Sequence, residues 1–76
     1  MGRTLADLQP EQCGRIQMVR GGDGLAQRLS ELGFTAGQMV RVVRLAPLGD
    51  PMQVGIRGFS LAIRRDEARR IVLEQA

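Results

Sequence analysis

Between two strand-like runs lies Arg44-Leu45-Ala46-Pro47-Leu48-Gly49-Asp50-Pro51, and this connector limits the possible folds more than any other segment. Its two prolines lack an N–H and fix φ, so neither a helix nor a regular ladder continues through it. Gly49-Asp50 suits a tight turn. The flanking runs are therefore separate strands joined by a stiff loop. Leu48 stands at the tip, where a turn that only connects would be polar. An apolar residue on a stiff, exposed loop is a contact point for a partner.

The remaining chain alternates between short periodic runs and glycine- or proline-marked turns. Thr4-Leu5-Ala6-Asp7-Leu8 predicts a capped helical turn that Pro10 terminates. From Gly14 to Val19, Ile16 and Met18 alternate with Arg15 and Gln17, the pattern of a half-buried strand. Gly21, Gly22 and Gly24 form a turn. Asp23 takes the N-cap of a helix over about residues 24–33, with Leu25, Leu29 and Leu32 as its apolar stripe. Gly33 and Phe34 are the residues a Schellman ending needs. Met39–Leu45, Met52–Arg57 and Phe59–Arg64 predict three further strands, with Gly58 at a turn. Asp66-Glu67-Ala68 predicts one helical turn, and Ile71-Val72-Leu73 a last strand. About five short strands with tight connections suit a small, partly open barrel, mainly β. An SH3-like barrel ranks first and an OB-like barrel second.

With 76 residues the chain makes one domain, 1–76, with a small core. There is no Trp or Tyr and only two Phe, both expected inside, so Val, Ile, Leu and Met do most of the packing. Met18, Met39 and Met52 are read as core residues rather than thioether ligands. The formal charge is +3. Its densest cluster, Arg64, Arg65, Arg69 and Arg70, is interrupted by Asp66 and Glu67 and reads as a solvated, locally paired face.

Catalytic chemistry finds little support. Without His there is no imidazole base, and without Lys no Schiff base. Cys13 is a lone thiol with no partner for a disulfide, in keeping with a reducing compartment. Eight scattered acids and one cysteine do not suggest a transition-metal site within one chain, so no catalytic, metal or cofactor residue is assigned. Gly21-Gly22-Asp23-Gly24 misses the phosphate-loop spacing, and Asp23 would repel an anion. No apolar run approaches the ~20 residues that span a bilayer. With so few aromatics for base stacking, nucleic acid is not expected as a partner.

Three stretches, in order, resemble the FeoA family: Gly24-Leu25-Ala26-Gln27-Arg28-Leu29-Ser30-Glu31-Leu32-Gly33-Phe34, then Ala46-Pro47-Leu48-Gly49-Asp50-Pro51, then Arg57-Gly58 through Leu61-Ala62-Ile63-Arg64 to Glu67-Ala68. These are small accessory proteins of bacterial ferrous iron uptake. The resemblance implies an SH3-like barrel with an inserted helix and a cytoplasmic location, peripheral to the inner membrane through its partner. That partner is FeoB, the Fe(II) transporter with a cytoplasmic GTP-binding domain. Glu11 departs from the pattern, since the family often has glycine before the first strand. On this reading Pro47, Leu48, Gly49, Asp50 and Pro51 form the partner-binding loop, Leu48 giving an apolar contact and Asp50 a polar one. The competing expectation is that Asp50 only caps the turn and Leu48 folds back onto the core. Two other functions stay open. One is the SH3-like carboxy-terminal domain of iron-dependent repressors, against which a Met1 close to Thr4 suggests a stand-alone product. The other is a weak nucleic-acid-binding barrel.

Overall fold

Apolar alternation and turn chemistry arrange the chain as a rolled antiparallel sheet with two short helices, in a computed structural model that describes residues 3–74. The elements are a 3₁₀ turn at Leu5–Asp7, β1 (Cys13–Val19), α1 (Gly24–Glu31), β2 (Met39–Leu45), β3 (Met52–Ile56), β4 (Phe59–Ile63), α2 (Arg65–Ala68) and β5 (Ile71–Leu73). The strand order is β4-β3-β2-β1-β5, every neighbouring pair antiparallel. This is the SH3-like architecture ranked first from the sequence.

Helix α1 begins where Asp23 Oδ1 accepts the Ala26 amide at 3.2 Å. It ends in a Schellman motif: Phe34 N–H donates to Leu29 O at 3.1 Å and Gly33 N–H to Ser30 O at 3.0 Å. Gly33 takes φ 115°, which an L side chain resists, so the helix stops before the expected residue 33. Leu29 and Ala26 are buried on its inner face, whereas Leu32, expected in the stripe, is 39% exposed at the C-cap. The motif fixes the end of the helix, and Leu32 falls where the chain is already turning away.

The core gathers one face of each strand. Ile16, Val40, Val42, Met52, Val54, Ile56, Ile63, Ile71 and Leu73 pack with Leu5, Leu8, Leu29 and Phe34, all buried. Among the described residues no polar or charged side chain is buried. Such a core rests on apolar burial, and a truncation such as Leu29→Ala costs about 2–5 kcal/mol.

Two β-bulges account for two departures from simple alternation. In β1 the pairing with β5 shifts between Ile16 and Met18, so two residues of β1 oppose one of β5. Met18 turns outward, half exposed, and the expectation that it joins Ile16 in the core fails. A similar shift between Val42 and Arg44 leaves Val43 as the extra residue, so that exposed Arg44 follows half-buried Val43 outside the core instead of alternating back into it. Met39 and Phe59 were also expected in the core and are 43% and 49% exposed. Met39 is the outward neighbour of buried Val40, and Phe59 stands first in β4, where the sheet runs out. Glu11 takes φ 72°, so the turn before β1 holds a side chain in the left-handed region that glycine tolerates best.

Candidate docking site on the proline loop

The loop from Ala46 to Pro51 is closed at both ends by its own backbone. Gly49 N–H donates to Ala46 O at 2.7 Å, making a tight turn with Pro47 and Leu48 in the middle. Ala46 N–H donates to Pro51 O at 3.0 Å across the neck. Gly49 takes φ 84°, and a Cβ there would stand 3.3 Å from Arg65 Nη2. The Asp50-Pro51 peptide is cis.

Helix α2 holds this loop from beneath. Asp50 Oδ1 accepts the Arg65 backbone amide at 3.1 Å, serving a free N–H at the start of α2. The Arg65 guanidinium donates to Gly49 O from Nε (3.2 Å) and Nη2 (3.1 Å), and from Nη1 to Ala6 O (2.9 Å). One partly buried side chain thus ties the proline loop to the amino-terminal 3₁₀ turn. In the sequence Arg65 is only one member of a basic cluster. No local sequence signal joins it to residues 16 and 59 positions away. The rest of that cluster is largely paired: Arg69 with Asp66 at 2.8 Å and Arg70 with Asp23 at 2.6 Å.

The five residues singled out from the sequence are brought together in one loop, with different exposures. Leu48 is 95% exposed and does not fold back onto the core. Pro47, Asp50 and Pro51 are exposed, and Gly49 is partly covered by Arg65. Asp50 does cap backbone, although the amide belongs to α2 rather than to its own turn. Holding the loop in this way lowers the ordering cost of any contact that Leu48 makes.

Elsewhere the electrostatics are those of a solvated surface. Hydrogen bonding from Arg70, aided by the Ala26 amide, holds the Asp23 carboxyl below its ordinary value. Arg28 reaches Glu67 at 3.2 Å, linking α1 to α2. Among the described residues no three Cys, Asp or Glu side chains gather as metal ligands, and no helix is long and apolar enough to cross a membrane.

Comparison with known proteins supplies a context for this geometry. A family model described as the FeoA domain matches residues 3–75. An Fe(2+) transport protein A/Fe(2+) transporter FeoB fusion protein of Porphyromonas gingivalis is 33% identical over 70 residues, which is 92% of this chain and 8% of the fusion. The chain therefore spans a small part of that relative. The crystal structure of Stenotrophomonas maltophilia FeoA complexed with zinc, a procaryotic SH3 domain protein, superimposes with a TM-score of 0.84 at 34% identity. That match covers 95% of this chain and 89% of the other. A manganese-dependent transcriptional repressor shares the fold alone, at 15% identity and a TM-score of 0.82 over 95% of this chain and 40% of its own.

Proposed function

Because the chain belongs to the FeoA family, which is linked to ferrous iron transport, we propose that it is a non-enzymatic accessory module that docks on the cytoplasmic face of a FeoB-type transporter through its proline loop. The observation that carries this reading is the Porphyromonas gingivalis fusion, in which one polypeptide contains both modules. Covalent linkage holds two modules at an effective concentration of the order of millimolar, an arrangement useful when they act on each other. The loop supports the reading physically. It is fixed by Arg65 and Asp50, and it carries one large apolar side chain in solvent. Leu48 is the anchor in this scheme. Asp50 keeps its backbone bond through one oxygen, and its exposed carboxylate offers the other to a donor on the partner. The prolines and Gly49 hold the shape.

The test is calorimetric titration of the protein into the cytoplasmic part of its cognate transporter, with and without guanine nucleotide. Leu48→Ser is expected to weaken binding at least about tenfold, or ~1.4 kcal/mol. Its folding stability should stay within about 0.5 kcal/mol, as for an exposed site. Unchanged binding by the variant, or destabilisation as large as that of Leu29→Ala, would remove Leu48 from the role.

A further inference from the structure

The end of the β2–β3 hairpin opposite the proline loop carries a groove of about 670 Å³ with a different construction. Its walls include Met39, Val43 and Phe59, the apolar side chains that the strands turn outward there. Arg41 and Arg57 also line it, the Arg57 side chain running over Gly33 so closely that an added Cβ there would meet its Cδ at 2.9 Å. Among the described residues no acidic side chain lines the groove. Among the described residues neither arginine forms an ion pair or a side-chain hydrogen bond, unlike Arg65, Arg69 and Arg70. The groove is therefore apolar and uniformly cationic.

Its floor contains Gly55, in register with Arg41 on one side and Ser60 on the other. A Cβ at Gly55 would lie 3.7 Å from Val43 Cγ2 and 3.9 Å from Phe59 O, ordinary contacts. Gly55 is not among the glycines with positive φ. Neither packing nor backbone conformation demands glycine, and glycine weakens a strand. What it does is keep the floor open.

The sheet also ends here. Among the described residues strand β4 is terminal in the order and pairs with β3 alone. Ile56 and Phe59 flank the two-residue turn Arg57-Gly58, so antiparallel alternation directs the N–H and C=O of Ser60 and Ala62 away from β3. Among the described residues no backbone bond outside the helices and strands uses these groups. An unpaired strand edge beside an apolar groove suits an added peptide strand, because the ladder supplies affinity and the groove selects side chains.

We propose that this end of the sheet is a second docking surface, which takes an extended acidic peptide along β4, one apolar side chain lying in the groove and flanking carboxylates on Arg41 and Arg57. A peptide is favoured over a nucleic acid because the free edge offers ladder hydrogen bonds that nucleotides cannot complete. Only one exposed aromatic ring, Phe59, is present for stacking.

The experiment titrates the isotope-labelled protein with a short capped peptide holding one leucine between aspartates, followed by amide NMR. Its controls are the same peptide with lysine for aspartate and a single-stranded oligonucleotide. Saturable shifts at Met39, Arg41, Phe59, Ser60 and Ala62 with the aspartate peptide alone are expected. Arg41→Glu should weaken them about tenfold or more, since an attraction becomes a repulsion. Gly55→Val should abolish them while the protein still melts cooperatively at an unchanged or higher temperature. If Gly55→Val fails to fold, Met39→Ser must produce the loss instead. Leu48→Ser should leave peptide binding intact, so this surface and the proline loop fail or succeed separately. Absence of saturable shifts, equal response to the lysine peptide, shifts centred on Leu48, or stronger oligonucleotide binding at these amides would each overturn the proposal.

Discussion

The two ends of the β2–β3 hairpin present apolar surface in opposite ways. At the proline loop a single side chain, Leu48, projects from backbone locked by a turn, two prolines and the Arg65 guanidinium. At the other end the apolar side chains form walls, and the backbone between them is left bare at Gly55. One end is a knob and the other a recess. Their cations differ in the same sense: Arg65 is consumed by internal carbonyls, whereas Arg41 and Arg57 have no internal acceptor among the described residues. Identical chemistry is thus tied into the fold in one place and left without an internal partner among the described residues in the other.

The largest expected effect tests the locked end. Arg65→Ala removes a charged donor from Gly49 O and Ala6 O, which should lower stability by about 2 kcal/mol in denaturant unfolding. It should also weaken transporter binding, although Arg65 lies beneath the loop tip. Binding that stays intact while stability falls would show that the preorganised loop is not what the partner uses. Next come the two glycines. Gly49→Ala forces a side chain into φ 84° beside Arg65 and should cost about 1–2 kcal/mol. Gly55→Ala should instead stabilise by about 0.5 kcal/mol, since its Cβ meets only ordinary contacts. Equal losses at both positions would erase the contrast between the ends.

The smallest effect belongs to Asp23, at neither end. Its carboxyl is held below the ordinary 3.8 by Arg70 and the Ala26 amide. Its contribution to stability is therefore complete above 3.8 and is lost as pH falls through the lower folded-state value. Asp23→Asn, which keeps a capping oxygen and loses the charge, should melt slightly below the parent at neutral pH. That gap should close in acid, with binding at both ends unaffected at neutral pH. A gap that persists in strong acid would mean that the charge is not its source.

Much of this architecture is legible residue by residue. β2 and β5 run over the expected residues, and α1 begins at its Asp23 cap, because each signal is local: alternation, a cap, a glycine. The failures share a different cause. Met18 is displaced by a bulge defined only against β5, and Phe59 is exposed because no further strand covers that end. That Pro47, Leu48, Gly49, Asp50 and Pro51 form one stiff connector was readable from the local sequence. The support from Arg65 was not, since it joins segments far apart in the chain.

By itself, then, the sequence determined the elements, the turns between them, the FeoA family and the placement of Leu48 on a stiff connector. Those properties depend on neighbours within a few residues. Tertiary structure alone decided that Leu48 stands free, that Arg65 and Asp50 brace its loop, and that Met39, Phe59, Arg41 and Arg57 surround an open groove. Strand register and sheet ends create these features by bringing distant residues together, and no local pattern encodes a distance.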